Sequence, residues 1–317
     1  MLRLFNIDNG MLKEQAPPED LLKQAVAKAA WIDAHDPSDN ERAQLQTFLR
    51  TTLPESDDVE EIESSARYFT DNIGVHVRSL FLAQSEGRHH TATVAFILQH
   101  ERLITLREGN LADFRLLRMR ARHGQVKAHS PQELLLIMFE QKVENLADAL
   151  EDIHRKLEDV SYLVLEVMDS DLEDAIDQLA KLEDSNGKIR LCLMDTQRSI
   201  SFLQRHLRNH PDLQETAREV MRDVDTLMSH TTFLFDKINF LMDSTQGFIN
   251  ITQNKIIKIF SIAAVVFLPP TLVASIYGMN FQYMPELNIR LGYPGALVLM
   301  FLTGIAPYWF FKRKGWL

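Results

Sequence analysis

Residues 259–285, IFSIAAVVFLPPTLVASIYGMNFQYMP, contain no Asp, Glu, Lys, Arg or His. A helix needs about 20 apolar residues to cross ~30 Å of hydrocarbon. A second uncharged run, Leu291 to Phe311, is long enough to do the same, and only a short loop separates the two. The chain is therefore expected to end in a two-span membrane hairpin, with most of its 317 residues outside the bilayer on one side.

The flanking charges give the orientation. Lys255 and Lys258 precede the first run and Lys312, Arg313 and Lys314 follow the second, whereas the loop carries only Glu286 and Arg290. By the positive-inside rule both termini lie in the cytoplasm of a cell inner membrane and the loop faces outward. A net charge of -10 argues against nucleic acid as a partner, because phosphate binding takes clustered Lys and Arg. The single cysteine, Cys192, rules out an intramolecular disulfide and suits a reducing compartment. The opening MLRLFNIDNG lacks a charged segment followed by an apolar one, so no cleaved signal peptide is expected.

Residues 1–125 predict a mixed α and β cytoplasmic domain. Leu2–Ile7 alternates as a strand and Asn9-Gly10 signals a turn before Met11–Gln15. Short strands are also expected at Ala29–Asp33, Ala66–Thr70, Val75–Ala83, Thr91–Leu98 and Leu103–Leu106, with His89-His90 in a turn after Gly87. Ser38 and Glu41 form a helix-start pair, and a basic helix is expected near Leu111–Arg122. Residues 126–212 predict acidic antiparallel helices. The first opens at Ser130-Pro131-Gln132-Glu133, a capping box with Pro at the first helical position, and Asn186-Gly187 is a weak interruption. After Pro211 no proline occurs until Pro269. Residues 213–277 then read as one α-helical stalk of ~97 Å at 1.5 Å per residue, continuing into the first span at about 259–277. Residues 278–290 are the periplasmic loop, 291–311 the second span and 312–317 a basic tail. The stalk carries Val220, Val224, Leu227, Leu234, Ile238 and Leu241 at steps of three and four.

Tyr277-Gly278-Met279-Asn280 and the nearby Met284-Pro285-Glu286-Leu287 resemble the CorA family of magnesium transport proteins, in its bacterial magnesium/cobalt branch. Gly-Met-Asn between two spans is that family's signature, and the likeness extends over the whole chain. The resemblance implies a funnel-shaped homopentamer lined by the first span, passing Mg²⁺ and accepting Co²⁺ or Ni²⁺. No Ser-His-Asp or paired-carboxylate arrangement emerges, so no enzyme activity and no organic cofactor are expected. The resemblance also implies that cytoplasmic Mg²⁺ bound between neighbouring subunits holds the pore closed. The positions that match this regulatory site are Glu60 and Glu61, within Val59–Glu63, facing Glu219, with Asp223 one turn away. Two Glu stand here where the family commonly has Asp, and runs of exposed charge are ordinarily only solvated faces.

Residue chemistry gives the pore its expected parts. Gly278, at a helix end, is expected to be a left-handed cap. Asn280 sets an amide oxygen beside the helix's negative end, so symmetry would gather neutral oxygens at the outer mouth. Mg²⁺ dehydrates reluctantly, and neutral oxygens can hydrogen-bond its waters without stripping them. Gly278, Met279 and Asn280 are therefore the expected filter, with Glu286 attracting cations to the loop. Behind them Ser275, Thr271, Leu268, Ala264, Phe260, Ile257 and Asn254 form one helical stripe. Thr271 and Ser275 would meet the hydrated ion, while Leu268, Phe260 and Ile257 would form a dry constriction. Ser261 competes with Phe260 for its place. Apolar span residues ordinarily face lipid, and that reading stays open for each of them. Pro269-Pro270 should bend the span, as a packing kink or as a hinge.

No Gly-rich phosphate loop is found, and none is required. A divalent ion moving inward through 100 mV gains roughly 4.6 kcal/mol. The sequence reading is a passive, potential-driven Mg²⁺ channel gated by intracellular Mg²⁺. Its alternatives are a zinc transporter of the same superfamily, or a membrane protein that senses divalent cations without conducting them.

Overall fold

Leu2–Asp8 (β1) and Met11–Gln15 (β2) form an antiparallel hairpin in which Asp8 faces Met11. The two turn residues, Asn9 at φ 51° and Gly10 at φ 75°, have the left-handed backbone that a two-residue hairpin demands. A computed structural model describes residues 1–15, 22–49, 67–166, 171–280 and 282–315. These fall into two compact units, Met1–Met242 and Asp243–Leu317.

The first unit continues with α1 (Leu22–Lys28), β3 (Trp31–His35), α2 (Asp39–Leu49), β4 (Tyr68–Thr70), β5 (Val75–Ser85), β6 (Arg88–Leu98), β7 (Leu103–Arg107) and α3 (Ala112–Arg122). Its seven strands make one mixed sheet in the order β2-β1-β3-β7-β6-β5-β4. Among the described residues only β3 and β7 pair in parallel. One face buries Leu4, Ile32, Ile97 and Ile104 with Val26 of α1 and Leu45 of α2. The other buries Phe5, Trp31, Phe81 and Phe96 with Phe114 of α3 and Phe139 of the following helix. Both faces are covered, which is why β3 and β7 are buried along nearly their whole length. At the α2 start, the Ser38 N–H donates to Glu41 Oε2 at 2.9 Å and the Glu41 N–H to Ser38 Oγ at 3.4 Å. That is the reciprocal capping box.

Three long helices follow: α4 (Pro131–Glu166), α5 (Leu172–His206) and α6 (Pro211–Tyr277). Within the first unit Leu150, Leu157, Leu179, Ile189, Val220, Val224, Leu234, Ile238 and Leu241 share one buried cluster. The apolar stripe of α6 is thus spent on its own chain's α4 and α5. No break occurs at Asn186-Gly187, because α5 runs through it. Asn186 is buried, and its Nδ2 donates to the Thr231 carbonyl of α6 at 2.9 Å. The side-chain amide donates across the bundle and so does not compete with its own backbone, although its Oδ1 is buried without a hydrogen-bond partner among the described residues.

A buried ionic hub ties the sheet to these helices. Asp195 Oδ2 accepts from Ser79 Oγ at 2.6 Å and from the Leu80 N–H at 2.7 Å, and Oδ1 accepts from Arg67 Nη1 at 3.1 Å. Lys142 of α4, also buried, donates to Ser79 Oγ at 2.9 Å and lies 3.7 Å from Asp195.

The second unit holds the C-terminal part of α6, a short 3-10 helix (Pro285–Asn288) and α7 (Gly292–Arg313). Both α6 and α7 contain stretches long and apolar enough to span a membrane. The α7 helix runs past Phe311 and takes Lys312 and Arg313 into its last turn.

Candidate functional site

Two mid-helix prolines set the local geometry of the expected pore helix. Pro269 and Pro270 lie inside α6, and neither can donate to the carbonyl four residues back, so Val265 and Val266 lose those partners. The helix nonetheless continues to Tyr277. A Cβ placed on Gly304 of α7 would meet Pro270 Cγ at 3.3 Å and the Val266 carbonyl oxygen at 3.7 Å. The two spans therefore meet at the prolines, across a residue without a side chain. Small residues are what let helix backbones come this near in lipid.

Contact inside the hairpin uses one face of α6. Ile262, Val266, Pro269, Pro270, Val273 and Tyr277 are half-buried, in helical steps along that face. The expected stripe lies on the other side: at 3.6 residues per turn, Leu268 and Val266 point about 160° apart. Asn254, Ile257, Phe260, Ala264, Leu268, Thr271, Ser275 and Gly278 are all exposed, as is Ser261. The apolar members are open to a degree unusual for their type, with Ile257, Phe260 and Leu268 at 61%, 71% and 70%. Phe267 and Leu272 are similarly exposed, so polarity, and not exposure alone, marks the stripe's edges.

Thr271 Oγ1 donates to the Phe267 carbonyl at 2.7 Å. Its proton is committed inside the helix and its lone pairs remain as acceptors. The waters around a cation present their hydrogens outward, so an acceptor is the group they can use.

The end of α6 differs from expectation. The Gly278 N–H donates to the Ala274 carbonyl at 2.9 Å and the Met279 N–H to Ile276 at 3.3 Å. Gly278 is absent from the positive-φ glycines, so it is not a left-handed cap. The local demand is spatial: a Cβ there would stand 3.2 Å from the Ala274 carbonyl oxygen. Met279 and Asn280, both exposed, follow it. The last carbonyls of a helix lack regular intrahelical donors; here those of Ala274 and Ile276 are taken by Gly278 and Met279, just before Asn280. Glu286 lies on the short 3-10 helix.

The expected regulatory residues are only partly in view. Glu60 and Glu61 lie outside the described residues. Glu219 is exposed, 3.8 Å from Arg222. Asp223 lines a cavity of about 280 Å³ with Glu140 and Glu144 of α4. Burial pushes the Glu140 carboxyl above its usual range, and the charges of Glu144, Glu219 and Asp223 push it further, with Arg120 opposing. Sequence reasoning missed Glu140 and Glu144, although their spacing of four puts them on one helix face. Among the described residues no group of three or more His, Cys, Asp or Glu is disposed to hold a metal ion.

His89 and His90 sit in strand β6, not in a turn. The turn is Glu86-Gly87, and His89 pairs opposite Gln84. Cys192 is fully buried, and burial raises its thiol to about 12. It is therefore unreactive at neutral pH.

Comparison with known proteins bears on these features. The profile of a family described as "CorA-like Mg2+ transporter protein" matches residues 26–313. Magnesium transport protein CorA of Escherichia coli K12 is 48% identical over 319 residues, covering 100% of both chains. The protein of the same description from Pectobacterium atrosepticum is 48% identical over 320 residues, again covering 100% of each. Among solved structures, the CorA magnesium transporter of Methanocaldococcus jannaschii superposes with a TM-score of 0.76 at 19% identity. It covers 100% of this chain and 99% of that one, a likeness that speaks to fold.

Proposed function

The chain belongs to the CorA-like family of Mg²⁺ transporter proteins, and from that premise we propose a homopentameric channel that carries Mg²⁺ passively into the cytoplasm. One observation carries the reading. The stripe from Asn254 to Gly278 is exposed on the face of α6 turned away from its own second span. Two spans of one chain enclose no passage, so copies must surround a shared axis to make one. With the hairpin contact already made through Gly304 and Pro270, the free polar-ended face is the one available to that axis.

Ion handling follows from the side chains. Asn280 and the terminal carbonyls of α6 offer neutral oxygens to the hydration shell of Mg²⁺. Thr271 and Ser275 offer further acceptors below them. Leu268, Phe260 and Ile257 close the passage by excluding water, and Glu286 raises cation concentration at the mouth. The inward drive is the membrane potential, about 4.6 kcal/mol per ion at 100 mV. Co²⁺ and Ni²⁺ are accepted by the same neutral oxygens. Both termini are cytoplasmic, in line with Lys255, Lys258 and the Lys312-Arg313-Lys314 tail.

Closure is set by cytoplasmic Mg²⁺ bound at Glu60 and Glu61 of one subunit and Glu219 and Asp223 of the next. The raised Glu140 and its acidic neighbours supply local negative potential that attracts a divalent ion toward this face. The test is flux into liposomes holding the full chain. Mg²⁺ enters with the intact protein and entry is lost with Asn280→Ala. Undiminished entry through Asn280→Ala removes the filter. No flux at any internal Mg²⁺ replaces the channel with a non-conducting sensor.

A further inference from the structure

The chain is acidic overall, at -10, yet the balance reverses at the turn between α5 and α6. Arg205, in the last turn of α5, Arg208, in the turn just beyond it, and Arg218, in the N-terminal part of α6, line one cavity of about 230 Å³ with Ser201, Gln204 and Gln214. Every lining side chain is a hydrogen-bond donor and none is a carboxylate. Arg218 has an acidic partner, Glu215 at 3.0 Å. Among the described residues Arg205 and Arg208 have no ion pair.

Three guanidinium groups around one hollow repel each other, and among the described residues only Arg218 is neutralised by a carboxylate, while Arg205 and Arg208 are not. Guanidinium forks match phosphate oxygens two at a time, which a lysine ammonium cannot do, and the two amides and the hydroxyl add neutral donors. The volume is several times the ~30 Å³ share of a water molecule, enough for linked phosphoryl groups. The lining is wholly polar, with no apolar side chain for an acyl chain to meet, which favours an anion dissolved in water over a lipid headgroup.

We propose that this cavity binds a soluble polyphosphate anion, the chemical class that includes nucleoside di- and triphosphates. Its occupant bridges the end of α5 and the start of α6, the helix that continues into the first span. None of the lining residues belongs to the assigned ion path or to the acidic residues assigned to Mg²⁺ closure, although Arg218 precedes Glu219 and shares Glu215 with Arg222, which also pairs with Glu219.

The test is calorimetric titration of sodium triphosphate into the full chain, held in nanodiscs of zwitterionic lipid. The buffer is free of divalent ions, so that chelation gives no signal. Expected are saturable binding that weakens with salt, an affinity at least about tenfold above that for orthophosphate, and a further loss of about tenfold or more in Arg205→Ala/Arg208→Ala. Both arginines are exposed, so the double variant should keep its fold and its basal Mg²⁺ flux. Absence of saturable binding up to about 10 mM, equal affinity in the double variant, or no preference over orthophosphate would each overturn the proposal. So would a double variant whose oligomer falls apart while the intact protein binds no triphosphate, since the arginines would then be contacts between copies.

Discussion

Asp113 offers a pH experiment whose size can be worked out beforehand. It lies in the first turn of α3 and is only 4% exposed. Among the described residues its Oδ1 has no hydrogen-bond partner, and Oδ2 accepts a long bond from Asn145 Nδ2 at 3.4 Å. A water-sized cavity of about 10 Å³, lined by Phe81, Phe114, Leu117, Met138 and Gln141, adjoins it. Burial pushes the carboxyl from 3.8 to about 7, against its own backbone N–H, the Lys142 charge and Asn145. The folded chain therefore keeps a proton that the unfolded chain has already lost. Stability from this group is complete below the unfolded pKa and is lost as pH rises through the folded one. From pH 5 to pH 8 that is about two units, or about 3 kcal/mol at 1.36 per unit. Asp113→Asn keeps the shape and removes the titration. Hydrogen exchange of the α3 amides in the full chain, corrected for intrinsic rates, reads the opening equilibrium. The difference between wild type and variant should widen by about a hundredfold over that range. A difference that stays constant with pH would refute the burial argument.

Three other perturbations test separate parts of the structure. Asp195→Ala leaves Lys142 buried without its counter-charge and should cost about 3–5 kcal/mol, read as a fall in Tm; the Asp195→Leu/Lys142→Met pair should recover much of it. Gly304→Leu must force α7 away from Pro270 and should destabilise the hairpin by about 1–3 kcal/mol, seen as a lower melting temperature in detergent. Gly295→Leu is the control, because a Cβ there meets nothing within 4 Å. Reversal of Glu61 and Glu219 together to Lys should weaken inhibition of flux by internal Mg²⁺, and unchanged inhibition would dismiss both from the sensor.

Local chemistry was legible where a few neighbouring residues decide the outcome. Asn9-Gly10 dictated a hairpin, Ser38 and Glu41 a helix start, and the uncharged stretch from Ile259 a span. Steps of three and four put Val220, Val224 and Leu234 on one helical stripe, and the structure buries all three. Features settled by distant partners were not legible. Asn186-Gly187 looked like a weak interruption because the Thr231 carbonyl to which Asn186 donates is far away in sequence. The β6 strand extends through His89-His90 because Gln84 and Ala83 pair with them, which no single strand announces. Gly278 looked like a left-handed cap from its place at the helix end, whereas its constraint is the nearby Ala274 carbonyl. Glu140 and Glu144 went unnoticed because their company with Asp223 exists only once α4 lies beside α6.

Whether the exposed face of α6 surrounds an axis is decided by electron cryomicroscopy of the full chain assembled in lipid nanodiscs. A conducting pore requires Leu268, Thr271 and Asn280 of every copy to converge on one central passage, with Val266 and Pro270 turned to the second span. A map that puts Asn280 and Leu268 against acyl chains, with no passage at the centre, would contradict it.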